Sequence, residues 1–399
     1  AIDANGNLYL NGVFVKYANG TTRKLYKHTS AVGMYYGNPS DTEPAITKRI
    51  TYIPRRYGFL PTGLYAPAGE VLTIRISESD FQKVGVLTIE IGQIFQNGQA
   101  NAISSAKSFV RMPIISNIFE LSSTTPTMKR ENNDYIFYVG SYLGGPVYVK
   151  VPNSLTSSFS VTISGGLKMP HFILGYTSPE EFSDNMKSTA PFCELEVWQR
   201  GIIHSGAKSK LSVSSYNDFY KAAIYWEKVT SVSNQFPARS NTNIGIGMIY
   251  DPFVAAGGAV AFPGKSSTNC PAGWFSVVVN YESIITQKQD SWGPHHEFNH
   301  HFQKDWGLNG DGEVSNNAIT LVSHSFFTKI SQSRTLSAEP TGYDNWAKYT
   351  SATFALNSIV NNNRGNNLLF HSCLLHCFGQ YIFIEAAQQN GGTNNDAYY

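Results

Sequence analysis

Over its first ~165 residues the chain repeats one pattern, a short run of alternating or β-branched apolar residues followed by Gly, Asn, Pro or Ser. The runs fall at 7–17, 71–76, 84–91, 135–139, 146–151 and 159–163. A period of two sends successive side chains to opposite faces of an extended strand, and the residues between runs are those that reverse a chain. Strands at this spacing, with no fixed-period repeat and no low-complexity linker, predict a β-sandwich-like domain over residues 1–165.

From residue 166 the texture changes. Ser178-Pro179-Glu180-Glu181 is a helix start signal, predicting a helix over 178–187, and 217–231 continues in that style. Short apolar runs at 244–250, 258–262 and 275–280 read as strands. Helices are expected over 292–306, 313–331, 343–361 and 367–388. The expected class is α+β: the N-terminal β domain, then an α+β domain over 166–399 with a helical C-terminal part.

Composition excludes several functions. Charged residues make up 15% of the chain and the formal net charge is +2, with no Lys/Arg run, so a nucleic-acid or anionic-membrane partner has no electrostatic footprint. Gly, Ser, Thr, Asn and Tyr fill the deficit, a balance suited to a secreted or cell-surface, extracellular protein. The chain begins at Ala1 with neither Met nor a signal peptide, so a leader was removed or the sequence was cut. The best membrane candidate, 367–387, carries two His, a Gln and a Glu and reads instead as a buried helix. Cys193, Cys270, Cys373 and Cys377 allow up to two bridges in three connectivities, or none. Asn19-Gly20-Thr21 is one glycosylation sequon. Oligomeric state is not written in the sequence.

The chemistry concentrates at Trp292–Gln303, which holds one H-E-x-x-H: His296, Glu297, His300. Positions i and i+4 share a helix face, so the two imidazoles can bind one metal ion while Glu297 lies beside them as general base. His295 and His301 offer no second frame, because Asn299 and Glu297 occupy the positions four away. The motif alone fits a polar helix with surface His equally well. Glu313 changes the balance. It follows His300 after twelve residues, past Gly307-Leu308-Asn309-Gly310-Asp311-Gly312, and opens the next expected helix. Two His and one Glu leave the fourth position of a tetrahedral Zn2+ open, the catalytic arrangement. The zinc would make hydroxide available near neutral pH, with Glu297 taking the proton and passing it to the leaving amine. Asn317, one turn past Glu313, could bond a ligand imidazole and fix its tautomer; an ordinary surface Asn is the alternative.

These residues, with others upstream, resemble the enhancin-like, mucin-directed zinc metallopeptidases of peptidase family sixty, gluzincins with H-E-x-x-H and a downstream Glu ligand. Thr62–Glu70 (TGLYAPAGE) is similar to a family strand-turn signature, and Ser141–Val149 (SYLGGPVYV) to its Gly-Gly turn and strand. Ala190-Pro191-Phe192-Cys193-Glu194-Leu195 resembles its A-P-W-x-E-L stretch. Trp292–Gln303 resembles its W-G-x-x-H-E-x-G-H-x-x-Q helix, and Glu313–Asn317 the E-V-x-x-N segment that supplies the third ligand. One position departs: Asn299 stands where the pattern has Gly, which puts helix packing or metal geometry in question. The resemblance implies a zincin-type catalytic domain that cleaves peptide bonds in glycoproteins, often mucin-type O-glycosylated ones.

Two other clusters imitate sites. Gly257-Gly258 to Gly264-Lys265-Ser266 looks like a phosphate loop, but five residues follow Gly258 before Gly264 where four are needed, and Pro263 removes an N–H. His371, Cys373, His376 and Cys377 suggest a second metal, yet the first two fall on different helix faces and buried helix packing is the reading; His324, on the expected Glu313 helix, reads as a satisfied structural residue and not a ligand. Tyr343 is nominated to polarise the scissile carbonyl. The competing reading is a surface glycoprotein, or a glycan- or protein-binding one, that keeps the fold without turnover. An intracellular membrane-channel regulator on the same fold is disfavoured by the intact ligand set.

Overall fold

A computed structural model describes residues 7–10, 13–16, 37–52, 58–92, 117–125, 128–141, 143–151, 155–197, 201–236, 245–251, 259–262, 267–286, 291–302, 316–317, 319–320, 322–323, 381 and 384–385. Glu313, Tyr343, His324, the Asn19 sequon, most of the phosphate-loop look-alike and the His371–Cys377 cluster lie outside them. The chain packs as two compact units, Ala1–Tyr220 with Asn243–Val279, and Lys221–Thr242 with Asn280–Tyr399.

The first unit opens with a hairpin, β1 (Asn7–Leu10) and β2 (Val13–Lys16), where one run was expected; the sequence between them, Asn11-Gly12, is the strongest short hairpin signal. A nine-stranded sheet follows. It is built from β3 (Ala45–Tyr52), β4 (Gly58–Ala66), β5 (Val71–Ser77), β6 (Leu87–Ile91), β7 (Asn117–Leu121), β8 (Lys129–Glu131), β9 (Asp134–Gly140), β10 (Gly145–Val151) and β11 (Phe159–Lys168). The path is β7-β6-β10-β4-β11-β5-β9-β8, with β3 on the other edge of β11. In β5 the period of two is clean: Leu72, Ile74 and Ile76 are buried and their neighbours are not. Each such burial is worth roughly 1.5–3 kcal/mol.

β11 is where the sheet forks. Its Val161–Ser164 segment pairs with β5, while Leu167 and Lys168 pair with β4. Gly165 sits at the fork with φ +94°, and a Cβ there would meet the Val71 carbonyl at 2.8 Å. Only glycine fits both demands. The two branches fold their apolar faces together, so Ile74 and Phe137 on one side share a single core with Ile89, Val147 and Leu64 on the other. The sandwich-like character is thus reached by one curled, branched sheet.

The run at 84–91 is corrected in part. Val84 ends a helix, α1 (Glu78–Val84), and only Leu87–Ile91 is strand. Ser77 Oγ accepts the Asp80 N–H at 3.2 Å and caps the helix, and Gly85 at φ 73° stops it.

A six-stranded mixed sheet completes this unit: β12 (His171–Ile173), β13 (Phe192–Val197), β14 (Ile202–Ala207), β15 (Ile246–Asp251), β16 (Val260–Phe262) and β17 (Ser267–Pro271), ordered β12-β13-β14-β15-β17-β16. Every residue of β13, β14, β15 and β17 is buried, as expected where both faces of a sheet are covered. Between β12 and β13 lies α2 (Pro179–Asn185), whose Ser178 cap accepts the Glu181 N–H. Residues 275–280 are not the expected strand. They form the short helix α4 (Phe275–Val278), following α3 (Tyr216–Ser233) in chain order. The Phe275 ring fills the space over Gly206, where a Cβ would come within 2.4 Å of it. Cys193, Gly206, Tyr250 and Cys270 share one register line across β13, β14, β15 and β17. That separates the two thiols by three strand spacings, roughly 14 Å, beyond disulfide reach.

Two motif segments meet in the first unit. Tyr148 O–H donates to Glu194 Oε1 at 2.5 Å and Ser205 O–H to the same oxygen at 3.0 Å. His171 Nε2 lies 2.9 Å from Glu196 Oε2, and Lys48 Nζ donates to the Thr62 carbonyl at 2.8 Å. Burial raises the Glu194 pKa above its ordinary 4.5. The folded state therefore holds a proton that the unfolded state releases, and stability falls as pH rises from about 4.5 through the raised value. Glu194→Gln keeps Oε1 as acceptor and removes the titration. Denaturant unfolding across that window should show a flatter pH dependence for the variant; parallel curves would refute the assignment.

In the second unit, α5 (Tyr281–Thr286) and α6 (Trp292–Asn299) follow one another, and residues 316–317, 319–320, 322–323, 381 and 384–385 are helical. Among the described residues no helix is long and apolar enough to cross a membrane.

Candidate metal centre

α6 begins at Trp292, carries Pro294 in its first turn where a missing N–H costs nothing, and ends at Asn299, short of the expected 306. Its last turn tightens: His301 N–H bonds Phe298 O at 3.1 Å and Phe302 N–H bonds Asn299 O at 2.9 Å, an i to i−3 pattern. His300 still reaches back to the His296 carbonyl at 3.2 Å, so the i, i+4 relation of the two histidines survives.

Their rings stand at 88°, with Nε2 of His296 and Nε2 of His300 3.1 Å apart. A donor atom from each of His296, Glu297 and His300 lies within 4.8 Å of the others. Asn317 Oδ1 sits 2.7 Å from His296 Nδ1. An amide oxygen only accepts, so Nδ1 carries the hydrogen and Nε2 presents its lone pair on the side of His300. Two imidazole nitrogens on a tetrahedral zinc at 2.0–2.1 Å stand roughly 3.3 Å apart, so this donor pair fits such an ion with little movement.

The neighbouring His295 is spent on structure. Nδ1–H donates to Ser291 O at 2.6 Å, which leaves Nε2 to accept the Tyr225 O–H at 2.6 Å, and the ring stacks on Trp226. Burial raises the Tyr225 pKa well above its ordinary value, keeping the phenol a donor. α3 thus holds α6 through His295. Neither Tyr225 nor Trp226 carries a sequence signal; they are seventy and sixty-nine positions from His295. Asn316 donates from Nδ2 to the His296 carbonyl at 2.7 Å, a role that the sequence beside Asn317 does not signal.

The structure therefore brings His296, Glu297, His300 and Asn317 together, while Glu313 lies outside the described residues. An H-E-x-x-H helix with converging imidazoles on an α+β fold is a scaffold of the metallopeptidase type. The chain belongs to the peptidase M60 family, enhancin and enhancin-like, whose pattern matches residues 165–397; that of the N-terminal domain of M60-like peptidases matches residues 40–164. Antigenic protein P1 of Entamoeba histolytica is 30% identical over 68% of this chain and 24% of its own length. Antigenic protein NP1 from the same organism is 30% identical over 69% and 42%. TRPM8 channel-associated factor 3 of Rattus norvegicus is 27% identical over 66% and 26%. The chain thus spans less than half the length of these curated relatives.

Among solved structures, the IMPa metallopeptidase from Pseudomonas aeruginosa in its T-antigen complex superposes with a TM-score of 0.59 at 14% identity, over 94% of this chain and 47% of that one. The ZmpB metallopeptidase from Clostridium perfringens gives 0.56 at 15% identity, over 85% and 66%. At such identities the likeness establishes the fold.

Proposed function

We propose that the protein is a zinc-dependent endopeptidase acting on glycoproteins, mucin-type O-glycosylated ones first, outside the cell. His296, His300 and Glu313 would hold the metal, and Glu297 would be the general base. The β-rich part, 1–165, and the catalytic part, 166–399, belong to the same proposal. The observation that carries it is the pair of Nε2 atoms 3.1 Å apart with an acid beside them. Zinc, when bound there, supplies Lewis acidity. The chain supplies the rest: Asn317 holds the His296 proton on Nδ1, and a Glu297 carboxylate oxygen takes a proton from attacking water and returns it to the leaving amine. The substrate class is supported by IMPa, solved with an O-glycopeptide and with T-antigen, and by the ZmpC catalytic domain, solved with the sialyl T antigen.

A second reading, a binding protein that keeps the fold, is favoured by relatives named as antigens and channel-associated factors. Metal analysis with digestion of a glycosylated and a deglycosylated mucin separates the two. The expected result is about one zinc per chain and cleavage of the glycosylated form. A zinc-loaded protein that leaves mucin, casein and peptide libraries uncut establishes the binding reading.

A further inference from the structure

Asn299 stands where the resembling helix pattern has glycine, and the structure shows what occupies that place. The side chain is fully buried and almost fully bonded. Oδ1 accepts the Ser233 hydroxyl at 2.7 Å; Nδ2 donates to Thr320 Oγ1 at 3.2 Å and to Ser323 Oγ at 3.0 Å. The amide cannot be turned round. Thr320 spends its own hydrogen on the Asn316 carbonyl at 2.9 Å, and Ser323 spends its own on the Thr320 carbonyl at 3.4 Å. Both hydroxyls therefore present only lone pairs to Asn299, and only an N–H₂ group satisfies both.

Asn316, Thr320 and Ser323 are each helical and fall at i, i+4 and i+7, the spacing of one helical face. That face meets α6 at two levels. At one end Asn316 holds the His296 carbonyl, next to Asn317 on the His296 ring. About one to two turns further on, Thr320 and Ser323 hold Asn299, which lies between the two histidines in sequence. A single contact would leave the helices free to pivot; contacts at both levels fix their register. A glycine at 299 would leave three buried hydroxyls without this partner and a space the helices would close by shifting.

We infer that Asn299 is a positioning residue, whose amide locks the helical residues Thr320 and Ser323 onto α6 and so holds Asn317 on His296 Nδ1. The inference rests on the metal reading above. It accounts for the departure from the family pattern, because the asparagine comes with a matching set of hydroxyls at Ser233, Thr320 and Ser323.

The test uses the whole chain, stripped of metal and titrated with Zn2+ against a chelator and with Co2+ by its visible absorption. Asn299→Asp is nearly isosteric but turns carboxylate oxygens toward those lone pairs. It should weaken metal affinity about 10- to 100-fold, the scale of a lost outer partner, and alter the Co2+ bands. Thr320→Val with Ser323→Ala approaches the same contact from the other helix and should give a similar loss. Adding Asn299→Gly to that pair should cost less affinity than the separate losses summed, since the contact with Thr320 and Ser323 is already gone and only the Ser233 bond remains to be lost. Thermal melting runs alongside, because a merely structural asparagine would lower the melting temperature and leave affinity and spectrum alone. Wild-type affinity and an unchanged Co2+ spectrum in either folded variant overturn the inference. A wild-type protein that takes up neither ion overturns the metal reading itself, a distinguishable failure.

Discussion

Glu297→Gln should keep its zinc and its fold and lose peptide cleavage by roughly 10²-fold or more, the scale of a lost general base. Glu297 is buried on α6, with a carboxylate oxygen within 4.8 Å of an imidazole nitrogen of both His296 and His300. It stands at the position after His296, outside the i, i+4 pair that the imidazoles need. The amide matches the acid in shape and can still donate and accept hydrogen bonds, so packing should be preserved. What it cannot do is take a proton at neutral pH. Zinc content and melting temperature near wild type, with cleavage of an O-glycosylated mucin nearly abolished, is the expected set of results. A variant that cuts as fast as wild type removes Glu297 from the mechanism even if the metal is where we place it.

His300→Ala should cost more metal affinity than any change outside the ligand set. Its Nε2 faces His296 Nε2 at 3.1 Å, so truncation removes one of three proposed donors outright. Asn317→Ala removes only the bond that holds the other imidazole's tautomer and should fall in the 10- to 100-fold range. His300→Ala should exceed it and leave the purified protein substantially metal-free. His300 is half-buried at the end of α6, so the fold should tolerate the loss. Full zinc occupancy in His300→Ala would end the assignment.

Where period and capping agree, the sequence was a reliable guide. Alternation in β5 and the Ser178-Pro179-Glu180 start of α2 appear in the structure as read. The misses have local causes. Residues 84–91 look like one apolar run, and the Ser77 cap that announces α1 lies upstream of it. Residues 275–280 (FSVVVN) have strand-forming side chains but no alternation, and packing of Phe275 over Gly206 selects a helical turn. At the site, the H-E-x-x-H spacing is self-announcing because its geometry is internal to one helix. The partners that hold that helix are not. Asn299 bonds residues 66, 21 and 24 positions away, and no local pattern encodes separations of that kind.

The fork in β11 also bears on what part of this chain can exist alone. The match to the N-terminal domain ends at 164 and the match to the peptidase begins at 165, so the border falls within the strand Phe159–Lys168. A strand that serves β3, β4 and β5 at once cannot be divided without leaving raw edges, and raw edges recruit other chains. The peptidase segment begun at 165 would also lose Tyr148, the donor to its buried Glu194. Expressed apart, each segment should therefore be less soluble than the two together.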